Sequence, residues 1–197
     1  MNSVNMLAGM EICQLCPLHV NSFIIAGEGP IPCRYLILGE APGKDETVDL
    51  RPFIGAAGKK LFDYVAMMGL TRDDVYVTNG NKHWTGLGNP TPKKDEIKAC
   101  RPWLDIEIEM VDPEVIICLG KTAIENIVGP TNLLKFHGLV IEREVVGKIR
   151  KVAIMYHPAA GLHNPELLSV TANDFANLPS RISNPVHAPD VEVLWND

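Results

Sequence analysis

Two thiols with two residues between them, Cys13-Gln-Leu-Cys16, stand close enough to grip one metal centre, and Cys100 offers a third sulfur. Five cysteines is an odd count, and clustered thiols in a reducing compartment bind metal or a cluster more often than they pair. The fourth donor is open among His83, Cys118 and Cys33. His83 precedes Cys100 across a loop of glycines and prolines that leaves it free to reach the site. Cys118, inside VIICLG, reads as a buried small hydrophobe, and Cys33 fits the same description. A different chemistry is suggested by GEAPGKDE (39–46), a stiff turn that presents backbone N–H groups to a ligand, although an ordinary strand-to-helix turn has the same composition. GAAGKK (55–60) superficially suggests a phosphate loop but lacks the four-residue spacer and the Ser or Thr after lysine. His157 is followed by proline, which holds it in an extended backbone with its ring projecting forward; the plain alternative is a structural histidine capped by a backbone carbonyl.

Positioning these groups requires a framework, and the hydrophobic pattern supplies one. Short β-rich runs alternate with helical periodicity, which predicts an α/β fold with a mostly parallel sheet covered on both faces. The predicted strands are Phe23–Ala26, Tyr35–Leu38, Val75–Thr78 and Val115–Leu119, followed by a hairpin of Leu139–Val145 and Arg150–Tyr156 around Gly147-Lys148. Leu61, Tyr64, Val65 and Met68 recur at helical spacing after Gly58, leaving Lys59, Lys60 and Asp63 to water. A second helix is expected to open at Thr91 as N-cap with Pro92 in its first turn, to bury Ile97, Cys100, Leu104, Ile108 and Val111, and to stop at Asp112-Pro113. Lys121–Ile127 forms another after Gly120. GEAPG, Asn79, Gly120 and His157 then all fall at carboxyl ends of strands, the edge where open α/β sheets bind ligands.

The 197 residues are 46% apolar and 21% charged, which describes one globular domain, predicted over 1–178 with a proline-bearing surface tail at 179–197. With 24 acidic and 18 basic residues the net charge of −6 denies the chain a general electrostatic hold on nucleic acid or an anionic membrane, so any such contact is local. The first twelve residues carry no basic or apolar leader pattern, and no apolar run approaches the ~18 residues that span a bilayer. An intracellular protein without a membrane partner is expected.

Taken together, the motifs resemble the uracil-DNA glycosylase superfamily, most nearly its iron-sulfur type, family 4. The resemblance rests on Cys13-x2-Cys16, GEAPGKDE (39–46), RPFIGAAGKKL (51–61), VYVTNGNK (75–82), TPKKDEIKACRPWL (91–104), PEVIICLG (113–120) and YHPAAGLHNP (156–165), in family order. It implies a three-layer αβα sandwich and a monomeric enzyme that hydrolyses the N-glycosidic bond of a flipped-out deoxyuridine in DNA, leaving an abasic site. By that resemblance Gly39, Glu40 and Ala41 lie on the uracil-pocket loop and use backbone groups on the base. Glu46 orders the loop, Phe53 stacks on the base, Asn79 reads its Watson–Crick edge, and His157 donates toward uracil O2. Leu162 is the wedge that enters the duplex. The same resemblance implies a 4Fe-4S cluster of structural role.

Two departures qualify it. Ala41 stands where some branches carry an aspartate that orients the attacking water. His83 replaces the family's usual cysteine after Asn-x-x-Lys, so the expected cluster ligands are Cys13, Cys16, His83 and Cys100. That histidine is reminiscent of the X-type branch, which binds uracil-DNA covalently, yet WTGLGNPTP (84–92) lacks that branch's basic insertion and its histidine, so covalent trapping is not expected. The rivals are a non-catalytic binder of uracil-containing or damaged DNA, and a glycosylase for another base such as 5-hydroxymethyluracil or hypoxanthine. Lys82, Lys93, Lys94, Lys135 and His163 are candidates for a local basic face, whereas Tyr64 and Met67 read as packing residues.

Overall fold

The computed structural model describes residues 9–10 and 12–186, apart from the side chain of His163. Its centre is a five-stranded sheet of β1 (Tyr35–Gly39), β2 (Val75–Asn79), β3 (Val115–Leu119), β4 (Val140–Val145) and β5 (Lys148–Met155), in the order β2-β1-β3-β5-β4. All neighbours are parallel except β4, which returns antiparallel on β5. The hairpin turn is Val146-Gly147 and not Gly147-Lys148. Both residues take positive φ, 50° and 70°, which a two-residue turn of this hand demands and which Val146 adopts against its β-branch.

Alternation along the strands sorts the core into two layers. Leu36, Leu38, Tyr76, Ile116, Cys118, Val152 and Ile154 face one side, where Leu104 and Ile108 of one helix (Lys94–Val111) and Ile124 of another (Lys121–Val128) cover them. Ile37, Val75, Val77, Ile117, Ala153 and Met155 face the other, beneath Leu61 and Val65 (helix Ala56–Met67) and Phe175 and Leu178 (helix Pro165–Ser183). In chain order the helices are α1 (Glu46–Asp49), α2 (Ala56–Met67), α3 (Lys94–Val111), α4 (Lys121–Val128), α5 (Leu133–Phe136), α6 (Pro158–His163) and α7 (Pro165–Ser183). The arrangement is the three-layer αβα sandwich that the sequence predicts.

Three expectations need correction. Phe23–Ala26 is not a strand: Phe23 is 78% exposed, and the segment reaches β2 only through an isolated bridge of Glu28 with Val77. Gly27, Gly29 and Pro30 interrupt the run before a ladder can form. Helix α3 begins at Lys94, not after Thr91, because the carboxylate of Glu96 accepts from the backbone N–H of Lys93 at 2.7 Å and sets the cap there. The expected tail is helical at first: α7 continues past Leu178 through Pro179 because Ile182 extends the buried stripe of Phe175 and Leu178, and Val186 then bridges Ile141 beside β4. The remainder of that tail, 187–197, lies outside the described residues.

Candidate functional site: a cavity at the carboxyl edge of the sheet

The carboxyl ends of β1, β2, β3 and β5 open into a cavity of about 490 Å³. Glu40, Ala41, Glu46, Phe53, Asn79 and His157 all line it, so the structure brings together six of the residues singled out in the sequence. Gly39 is not in the lining itself but lies against two of its residues. A Cβ there would sit 2.3 Å from Asn79 Oδ1 and 2.6 Å from Phe53 Cζ, so only glycine lets those two groups converge.

Phe53 is held by local strain and long-range bonds together. Its φ of 57° is unusual for a non-glycine residue, and Gly58 permits the approach, since a Cβ on Gly58 would lie 1.9 Å from the Phe53 carbonyl oxygen. Glu46 Oε1 accepts from the backbone N–H groups of Ile54 (3.2 Å) and Gly55 (3.0 Å). Arg72 donates to the carbonyls of Pro52 (2.8 Å) and Phe53 (3.4 Å), and with Arg51 it grips Glu28. The guanidinium of Arg51, and behind it that of Arg72, holds the Glu28 carboxyl down to about 2.

His157 caps α6 from an extended backbone, φ −71° and ψ 134°, as Pro158 requires. Its Nδ1 accepts from the Ala159 N–H at 3.2 Å, a structural bond to an amide and not to a carbonyl. A neutral ring with Nδ1 so engaged carries its proton on Nε2. Burial pushes the ring down to about 4, which keeps it neutral near pH 7. The ring lies 6.4 Å from that of Phe53, 29° from parallel.

Asn79 ends β2 and is 3% exposed, yet among the described residues no protein group takes up its carboxamide. Its backbone carbonyl accepts from Lys82 Nζ at 2.7 Å. Glu40 turns its carboxylate to the Thr122 hydroxyl at the start of α4, and its carbonyl already accepts from the Asn81 N–H at 2.9 Å. Leu162 lies on α6, 46% exposed and outside the cavity lining.

Lys82 does not belong to a basic surface. Its side chain is wholly buried and its ammonium donates to Thr78 Oγ1 (2.6 Å), Asn79 O and Glu107 Oε2 (2.5 Å). Glu107 completes the network by accepting from Thr78 Oγ1 and, through Oε1, from the Gly27 N–H. Sequence reading missed Glu107, Thr122, Arg72 and Glu28, whose partners are 25, 82, 20 and 23 residues distant. The only local signal was a carboxylate, Glu107, on the apolar stripe of α3. Of the other expected basic residues, Lys93, Lys94 and Lys135 are exposed, while the side chain of His163 lies outside the described residues. Tyr64 is buried and stacked on Phe175 at 5.3 Å, and Met67 points to solvent.

Of the expected cluster ligands, Cys13 and Cys16 are near enough to Cys100 on α3 to influence its charge, and His83 follows Lys82 in the chain. The Lys82 N–H points at Cys100 Sγ (3.3 Å), and Trp103 Nε1 points at Cys13 Sγ (3.2 Å). Burial pushes the Cys100 thiol up to about 11, and neighbouring Cys16 and Cys13 add to the rise. Burial likewise raises Cys16 and lowers His83, the latter helped by the nearby His19, a neighbour the sequence did not flag. Among the described residues no group of three or more His, Cys, Asp or Glu side chains is arranged to hold a metal ion. The donor chemistry nevertheless fits one: His83 Nδ1 is buried with no partner, and the backbone N–H of its chain neighbour Lys82 points at the buried Cys100 sulfur. Cys118 is fully buried in β3, and the Cys33 thiol donates to the carbonyls of Tyr35 and Asp74.

Comparison with known proteins agrees with this geometry. The model of the uracil DNA glycosylase superfamily matches residues 26–177. The type-4 uracil-DNA glycosylase of Archaeoglobus fulgidus is 37% identical over 172 residues, 84% of this chain and 86% of the relative. That of Saccharolobus solfataricus is 33% identical over 200 residues, covering 93% and 88%, and that of Thermotoga maritima is 35% identical over 175 residues, covering 86% and 89%. With the superfamily pattern running through the whole sheet and its cavity, this chain belongs to the uracil-DNA glycosylase superfamily.

Proposed function

We propose that this chain is a monofunctional uracil-DNA glycosylase that takes an everted deoxyuridine into the cavity and hydrolyses its N-glycosidic bond. The observation that carries the reading is the convergence of an untethered carboxamide, an aromatic ring and a neutral histidine around Gly39. Phe53 stacks on the base, which helps offset the unstacking cost of ~a few kcal/mol. Asn79 offers a donor and an acceptor side by side, matching uracil O4 and N3–H and mismatching cytosine. As the C1′–N1 bond lengthens, negative charge gathers on the base. His157 Nε2–H, fixed by the Ala159 contact, donates to O2 where that charge builds. Because the ring stays neutral, it stabilises by hydrogen bonding without first needing a proton from solution. Water then adds at C1′ to leave a hydroxyl there, and the proton it loses passes, directly or through solvent, to the departed uracil anion. Ala41 supplies no base, and Glu40 is engaged by Thr122, so water activation is weak and departure of the base bears most of the barrier.

We further assign a 4Fe-4S cluster to Cys13, Cys16, His83 and Cys100, supported by the orphaned His83 Nδ1 and by three free thiols, one buried and two half-buried. When bound it supplies a covalent tie between the chain before residue 20 and α3. The enzyme works inside the cell, where its DNA is, acting as a monomer and as one glycosylase domain that includes all of α7.

An oligonucleotide with a single uracil, incubated with the protein and treated with alkali, tests the activity. Cleavage at the uracil is expected. A stable shift without cleavage overturns the enzyme in favour of a binder, and cleavage only at another lesion overturns the substrate. A brown preparation containing iron is expected, and a colourless, zinc-loaded and fully active one overturns the cluster.

A further inference from the structure

Leu87 is the most exposed large hydrophobic side chain among the described residues, at 85%. Isolated surface leucines are ordinary. This one sits at the tip of a braced loop at the mouth of the cavity. Thr85 and Asn89, on either side of the tip, line the cavity itself. Trp84 Nε1 donates to Asn89 Oδ1 at 2.6 Å across the loop base, and the Asn89 N–H donates to the Gly86 carbonyl at 3.0 Å. Asn21 and Ser22 pin Trp84 from outside, by a donor to its carbonyl and an acceptor for its N–H. Gly86 and Gly88 take φ of 106° and 81°, conformations that side chains resist, and thereby turn Leu87 outward. Among the described residues nothing packs over the tip: a Cβ on Gly88 would meet no atom within 4 Å.

We propose that Leu87 is a second apolar wedge, inserting into duplex DNA beside the everted nucleotide from the β2 side of the cavity. Apolar side chains that enter base steps unstack them and hold the duplex bent. The strand order supports the placement. Helix α6, with Leu162, follows β5, whereas the Leu87 loop follows β2, three strand spacings or about 14 Å along the edge. The two leucines therefore bracket the cavity. Exposed Lys93 and Lys94 follow the loop and suit the phosphates that an inserted tip would meet. The inference rests on the glycosylase reading for its ligand but concerns duplex opening, not bond cleavage.

The test separates the two. Leu87→Ala is assayed on uracil in duplex and in single-stranded DNA, where no stack needs opening, with Ile149→Ala, exposed at the opposite sheet edge, as control. In parallel, 2-aminopurine is placed beside 2′-fluorodeoxyuridine, whose glycosidic bond resists cleavage, so that its fluorescence reports unstacking alone. The expected result is an about tenfold loss of kcat/KM on duplex with single-strand activity retained, weaker 2-aminopurine brightening, and recovery of both by Leu87→Met. Unchanged duplex activity and brightening, or equal loss on both substrates, overturns the wedge. Should neither the wild type nor any variant release uracil, while the wild type brightens 2-aminopurine and Leu87→Ala does not, the wedge stands and the proposed activity falls.

Discussion

The cavity edge and the thiol corner meet at Lys82, yet they are ordered by different means. At the cavity, Asn79, Gly39 and His157 stand at the ends of three strands of one sheet, and their backbone is fixed by ladder pairing and by buried side chains on both faces. In the corner, Cys16 precedes a single 3-10 turn, Pro17–Val20, and Ile12, Leu15 and Val20 are 79%, 62% and 76% exposed. Only a few contacts tie it down: Met10 is buried, and Trp103 reaches Cys13. The fold by itself thus completes the cavity, whereas the corner is tied to it by few contacts, and the proposed cluster would add another.

The strongest attack on this contrast is at the junction. Lys82 gives its N–H to Cys100 Sγ and its ammonium to Asn79 O and Glu107. Lys82→Met leaves Glu107 as an uncompensated buried carboxylate and is expected to lower stability by about 3–5 kcal/mol in urea unfolding. Adding Glu107→Leu to it should restore most of the loss. A single variant as stable as the wild type would mean that the pair does not bind the two regions together.

Next in size is Asn79→Ala, which removes the proposed base reader without touching the ladder. Uracil release should fall by about 10²–10³ while unfolding stays within about 1 kcal/mol of wild type. Near-native activity would show that the cavity is not the reading site. His157 then sharpens the picture through pH. Its folded value of about 4 lies below the ordinary value of 6.5, so between them the unfolded chain binds more protons. The stability carried by the neutral ring is therefore whole above pH 6.5 and is lost as pH falls toward 4. Activity should hold level from pH 8 to about 5.5, as far as His157 is concerned, and drop about tenfold per unit below about 4. Replacement by Gln should remove that acid limb, and its persistence would assign the limb to another group.

What the sequence revealed follows the same division. Strand ends, the GEAPG turn and the His-Pro step are local patterns, and they pointed to the Glu40, Asn79, Gly120 and His157 sides of the cavity; Phe53 came only from the resemblance, and Thr85 and Asn89 had no local signal. The β2–β1–β3–β5 core was legible because buried parallel strands read as short β-branched runs. Phe23–Ala26 misled because three β-prone residues in a row satisfy a composition rule that says nothing about whether a neighbour lies alongside. Lys82 misled because a lysine between Asn79 and His83 looks solvated unless Glu107, on α3 and 25 residues away in sequence, is known to meet it. The run after Leu178 was obscured by Pro179, although Ile182 continued the stripe.

The smallest effect on catalysis is expected where the sequence signal was strongest. Cys13→Ala removes a proposed cluster ligand from the loosely tied corner, so visible absorbance and iron content should fall, and amide exchange over residues 12–20 should accelerate. The cavity groups stand on strands that do not depend on that segment, so kcat on uracil-DNA should stay within about threefold. A collapse of kcat with iron lost and the sheet still protected from exchange would carry the opposite meaning. The Cys100–Lys82–Asn79 chain of contacts would then transmit the state of the corner to the base reader, and the two regions would be one device.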